Sequence, residues 1–229
     1  YYEPCISSDG KKIFFLSNMP KDTSSSENED IWVADRVGDG WGTPYNLGEP
    51  ICTDNAEFFP SLTDNGTLYF TRQIKGDPVN YIYRSKLING KYTEPEKLPE
   101  QVNCGTNRFN ACISRDENFI LVPAMGMENT LGGVDYYIVY RNEDDTWQEP
   151  INMGAKINSK NGREWSPYIS PDKKYLFFMS SRSVIDDLSK TKPDFKMLKE
   201  GHSLPGNGNS DIYWISTKVL EKINESVIN

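Results

Sequence analysis

One histidine, His202, serves all 229 residues, and that scarcity removes whole classes of chemistry. A zinc site of the common His-rich kind needs two or three imidazoles. A Ser-His-Asp relay would have to recruit His202 from a stretch flanked by Gly201 and Pro205, and no Gly-x-Ser-x-Gly elbow accompanies it. Basic residues are also in deficit: 25 Lys and Arg stand against 33 Asp and Glu, a net charge of −8, with no basic run. Phosphate backbones need a basic surface, so nucleic acid is not an expected partner. No apolar run approaches the about 18 residues that cross a bilayer, so no transmembrane helix is expected. Four cysteines are too few for a disulfide framework. Cys5 and Cys112 occupy one repeat position as small apolar residues of an inner strand, and Cys52 and Cys104 lie in equivalent loops. Free thiols are the expectation, with pairing across repeats as the alternative. No Gly-rich phosphate loop leads from a strand into a helix. No metal and no cofactor is expected.

What the chain does have is repetition. PCISSDGKKIFF from Pro4, PSLTDNGTLYF from Pro60, ACISRDENFILV from Ala111 and PYISPDKKYLFF from Pro167 are four versions of one stretch, spaced by 56, 51 and 56 residues. A second stretch occurs three times, as WGTPYNLG from Trp41, YTEPEKLP from Tyr92 and WQEPINMG from Trp147. A fixed pitch near fifty residues with strand-type residues in every unit predicts a radial array of small sheets. The composition agrees: only 37% of residues are hydrophobic, yet 12% are aromatic, which suits thin sheets with large rings filling the gaps between them. Asp9-Gly10 and Asn65-Gly66 mark the first hairpin of their units, and Asn89-Gly90 marks a second. IWVAD, YIYRS, YYIVY and IYWIS are the third strands, and the aromatic-x-x-Pro stretch is the outer one. Each unit therefore reads as a four-stranded antiparallel meander, one blade of a β-propeller in an all-β domain covering the whole chain. The units run over about 1–57, 58–108, 109–164 and 165–216. The fourth lacks its outer strand and is followed by a short C-terminal helix, 217–227, capped by Ser216 with Val219, Leu220, Ile223 and Val227 on one face. The chain opens on Tyr1 inside the first repeat, so a trimmed piece of a longer chain, with a ring incomplete as written, is expected.

The Pro-x-Ile-Ser-x-Asp-Gly stretch, the Asp-Ile-Trp and Asp-Ile-Tyr strands and the Asn-Leu-Gly-x-x-Ile-Asn loops resemble the TolB-type, WD40-like β-propeller repeats of bacterial envelope and secreted proteins. The resemblance covers Tyr2 to Ser216. It implies a location in the periplasm or outside the bacterial cell, and five blades when intact, the first of them outside this sequence. It is specific for fold rather than activity. Propeller lyases of oligogalacturonate resemble the same repeat but use several histidines.

Propellers bind ligands at the mouth of the central channel, and three features converge there. The first is a charged residue before each inner strand: Glu3, Glu57, Arg108 and Glu164. The second is the end of the second strand: Asn18, Arg72 and Arg182. The third is a long insertion in the fourth unit, 182–211, which carries His202; long loops on a rigid scaffold are disproportionately functional. Each also has a structural reading, because the carboxylates can accept backbone N–H groups at blade junctions, Arg72 and Arg182 can pair with them, and the insertion can be a surface lid. The reading reached is a non-catalytic binding scaffold whose channel mouth takes a protein, peptide or glycan. The alternative is a carbohydrate-active hydrolase or lyase using Glu57 and Glu164, which requires two carboxylates about 5–10 Å apart across an open pocket.

Overall fold

A computed structural model describes residues 1–20, 28–183 and 194–228. Among the described residues the strands form four small antiparallel blades in chain order, arranged as a β-propeller, and one separate two-stranded hairpin, Leu87–Ile88 with Lys91–Tyr92. The first blade runs Tyr2–Ile6, Lys12–Ser17, Asp30–Val37 and Tyr45–Asn46. The second runs Ala56–Leu62, Leu68–Gln73, Asn80–Ser85 and Glu96–Lys97. The third has an interrupted inner strand, Asn107–Arg108 and Cys112–Ile113, then Phe119–Met125, Asp135–Tyr140 and Ile151–Asn152. The fourth has three strands, Glu164–Ile169, Tyr175–Ser180 and Asp211–Ser216. As expected, helix Lys218–Ile228 follows where an outer strand would be.

Alternation places every second side chain on one face of a blade, and each face packs against the next blade. Phe14, Ile31 and Val33 of blade one meet Leu62, Leu68 and Phe70 of blade two. Tyr69 and Ile82 meet Ile113, Ile120 and Val122 of blade three. Leu121, Tyr136 and Ile138 meet Leu176 and Phe178 of blade four, and Leu220 of the C-terminal helix joins them. Two faces remain at the ends of the series. Tyr2 is half exposed on blade one, while Ile212 is 75% and Trp214 64% exposed on blade four.

The blades begin ahead of where the repeated Pro suggested. The expected boundary after residue 57 falls inside Ala56–Leu62, and that after 164 falls inside Glu164–Ile169. A bulge explains this. Pairing with the second strand skips between Tyr2 and Cys5, between Phe58 and Ser61, and between Trp165 and Tyr168. Pairing in blade three is likewise split, around Asn110. The strand therefore starts before the bulge, and the recognisable Pro stretch comes after it.

The turns differ from one another. Asn89 and Gly90 both have positive φ, 52° and 77°, as the tight Asn-Gly hairpin requires. At Asn65-Gly66 only Gly66 does, at 86°. There Asn65 uses its Oδ1 to accept from Thr67 N and Oγ1 and from Thr63 Oγ1, a side-chain-stabilised turn of a different type.

Candidate functional site

Each bulge sets one non-glycine residue in left-handed backbone. Glu3, Phe59, Asn110 and Ser166 hold equivalent positions in the four blades and have φ of 57°, 52°, 52° and 54°. A non-glycine residue in the left-handed region costs on the order of 1–3 kcal/mol, so four in register form a specified feature. Their polar groups connect across the hub. Phe59 N–H donates to Glu3 Oε2 at 2.8 Å. Asn110 Nδ2 donates to Glu3 Oε1 at 3.3 Å and to Ser166 Oγ at 3.0 Å. Asn110 N–H is itself held by Thr71 Oγ1 at 3.0 Å. Residues of all four blades thus meet in one chain of hydrogen bonds.

Beside this chain lies a cavity of about 470 Å³ along the inner strands, lined by Glu3, Cys5, Ser61, Cys112, Arg115 and Ser166 among others. Its walls are mainly apolar with a few convergent polar groups, the usual character of ligand pockets. Burial pushes the Glu3 carboxyl up to about 7, and the charge of Glu29 adds to the rise against the hydrogen bonds from Phe59 and Asn110. Burial likewise raises the Cys5 thiol to about 12 and raises Cys112, so neither is a thiolate nucleophile at neutral pH.

The charged residues singled out by the sequence divide in two. Glu3 belongs to the hub. Glu57, Arg108 and Glu164 do not share its position; they sit two residues earlier in the repeat frame, at the blade junctions, and are buried. The side chain of Glu57 accepts Thr53 N at 3.0 Å, Thr53 Oγ1 at 2.6 Å and Arg72 Nε at 2.8 Å. Glu164 accepts Ser159 N and Oγ at 3.2 and 2.6 Å and Ser180 Oγ at 2.6 Å. Burial raises both carboxyls above their ordinary range, while these partners pull them back.

The arginines complete the junctions. Arg72 Nη2 donates to Ile51 O at 2.8 Å and lies over Phe70 and Tyr83. Arg182 Nη2 donates to the equivalent Ile157 O at 2.6 Å and lies over the equivalent Phe178 and Tyr213. The strand register matches Arg72 with Ser180, not Arg182, so two sequence positions deliver one interaction. Arg182 reaches Glu164 only through Ser180 Oγ, at 3.0 Å. Arg108 replaces the carboxylate of the other junctions and reverses the polarity, donating to Cys104 O, Gly105 O and Asn80 O. Its guanidinium thus satisfies loop carbonyls.

The insertion expected as a loop contains helix Phe195–His202, N-capped by Asp194 through Met197 N at 2.8 Å. His202 is exposed at its C-terminal end, and residues 184–193 of the insertion lie outside the described residues. Asn110 and Ser166 were missed by sequence reasoning. Their signal was positional: each directly precedes the Pro4-equivalent residue, a column that reads Glu, Phe, Asn, Ser, whereas Glu3 had been aligned with residues two places away.

No protein-family model matches the chain, and no curated protein matches it. Solved structures do. The chain resembles TolB-type propellers in fold. TolB from Acinetobacter baumannii shares 15% identity at a TM-score of 0.45, over 78% of this chain and 39% of TolB. A putative 6-phosphogluconolactonase from Bacteroides uniformis shares 16% at 0.42, over 76% and 46%. The periplasmic gluconolactonase PpgL of Pseudomonas aeruginosa shares 14% at 0.44, over 73% and 46%. The chain thus spans less than half of each of these proteins, and likeness at this level carries nothing about activity. No described helix is long and apolar enough to cross a membrane.

Proposed function

We propose that this propeller is a non-catalytic binding module of the bacterial periplasm or exterior, taking a peptide or glycan at its hub. The observation that carries the reading is the hydrogen-bonded series Glu3–Asn110–Ser166 beside the hub cavity, set in left-handed backbone that the fold maintains at a cost. Glu3 and Ser166 line that cavity and offer a carboxylate and a hydroxyl to amines or hydroxyls of a ligand, with Asn110 holding both in place. The enzymatic alternative needs two carboxylates facing each other across open space. Glu57 and Glu164 are 0% exposed and bound to their own loops, so they favour a structural role.

The test is a peptide and glycan array probed with the wild-type chain and with Glu3→Gln, followed by hydrolysis assays on every binder. Hub binding predicts at least a tenfold loss of affinity in the variant and no turnover by either protein. Binding indifferent to Glu3→Gln, or hydrolysis abolished by Glu57→Gln in a protein that still folds, overturns the reading.

A further inference from the structure

The three blade junctions share one niche, and in two of them a part of this chain occupies it. Strand register sets the correspondence. Phe14, Val33, Tyr45 and Leu47 of the first junction match Tyr69, Arg84, Glu96 and Leu98 of the second. They match Leu121, Ile138, Ile151 and Met153 of the third. In the second junction Arg84, only 4% exposed, occupies the niche and narrows it to a polar cavity of about 350 Å³ beside Glu96, Leu98 and Trp147. Its guanidinium bonds Asp145 at 2.6 and 3.0 Å and Glu96 at 2.5 Å, while Tyr69 packs edge-on against Trp147 and donates to Glu117 at 2.7 Å. In the third junction the C-terminal helix does the filling: Val219, Leu220 and Ile223 join the apolar cluster that contains Leu121, Ile138 and Met153, and Tyr140 Oη donates to Leu220 O at 3.1 Å. Only about 170 Å³ of cavity remains there.

The first junction has neither filler. Val33 stands where Arg84 stands, and the second blade lines the niche with Leu62 and with Leu87 and Tyr92 of the short hairpin Leu87–Ile88 and Lys91–Tyr92 without filling it. The result is a cavity of about 630 Å³, with a floor of Phe14, Val33, Leu47 and Tyr92. Its mouth is polar and of both signs, from Asp9, Lys12, Asp64 and Lys91.

We infer that this cleft is a second binding site, for an amphipathic helical segment of a partner protein that inserts aliphatic side chains as Val219, Leu220 and Ile223 do in the third junction. The occupant follows from the walls. The first and third niches are alike in carrying no charge at the matched positions, with Phe14, Val33 and Leu47 opposite Leu121, Ile138 and Met153, and are unlike the charged second one. A helix with one aliphatic face and a mixed-charge back is therefore the complement the fold already uses in cis. The site lies between sheets rather than at the hub and is independent of Glu3.

The probe is a synthetic peptide with the sequence of residues 216–228, stapled on its polar face to hold the helix, titrated into the full chain and followed by methyl NMR. Saturable shifts at Val33, Leu47 and Leu62 are expected. Val33→Phe, which fills the cleft, should weaken binding at least tenfold. Tyr45→Lys on the exposed wall should weaken it about fivefold and serves if Val33→Phe fails to fold. Glu3→Gln should leave this affinity unchanged, whatever happens at the hub. Absence of saturable shifts, shifts confined to Ile138 and Met153 (exchange with the chain's own helix), or undiminished binding by Tyr45→Lys overturns the inference.

Discussion

At the residue scale, Glu3 is a carboxyl whose protonation is tied to the fold. Its folded value of about 7 lies above the ordinary 4.5, so the folded chain holds a proton that the unfolded chain has released between those limits. Stability from this group is therefore fully present below the ordinary value and falls as pH rises through the folded one. Glu3→Gln removes the dependence. Its stability relative to wild type should increase by about 2 kcal/mol between pH of about 4 and about 8, read by urea unfolding across that range. A difference independent of pH would show that Glu3 is not held away from water. Charge type was a poor guide to such residues. Glu3 and Glu57 look interchangeable in the sequence, but one faces the hub and the other, 0% exposed, clamps a junction loop. Only the bulge between Phe58 and Ser61 separates the two positions, and a bulge leaves no residue-type signature of its own.

At the scale of elements, the apolar-Asn pair after the second and third blades, Val102-Asn103 and Ile157-Asn158, has a mechanical role. Asn103 accepts Ile82 N at 2.7 Å and donates to Ile82 O and Leu98 O at 3.1 and 2.7 Å. Asn158 repeats the clamp on Tyr136 N and O at 2.8 and 3.0 Å. In blade one the position is Cys52, whose Sγ donates to Ile31 O at 3.4 Å. Asn103→Ala leaves the buried Ile82 N–H without its acceptor and should cost about 2–3 kcal/mol, measured as a lower denaturation midpoint at unchanged slope. The elements themselves were largely legible: repeat pitch, third strands, the absent outer strand of blade four and the closing helix all follow from period and turn residues. The helix Phe195–His202 was not, because eight residues after Pro193-Asp194 make too few turns for periodicity to show. Nor was the Arg84 cluster, whose partners Glu117 and Asp145 lie in another blade and come together only through packing.

For the whole molecule, the two end faces of the blade series matter most. Ile212 and Trp214 project from the outermost strand of blade four, beside Tyr168 and Tyr175, each about two-fifths exposed. On blade one, Phe15 and Trp32 form a separate apolar cluster, and Trp32 Nε1 is buried with no hydrogen-bond partner among the described residues. Apolar sheet faces and a strand edge of this kind favour association. The isolated chain should therefore self-associate with increasing concentration, and Ile212→Lys with Trp214→Lys should shift sedimentation velocity profiles toward monomer. Profiles identical for the two proteins would rule that face out as the contact. The four hub bulges have a different consequence. Left-handed backbone in register at four points brings these residues side by side, and three of them bond across blades, so each side chain there acts both as a tie and as a surface for recognition. A change at Phe59, whose side chain makes none of those bonds, would alter what the centre offers while leaving its ties in place, whereas a change at 3, 110 or 166 rewrites both at once.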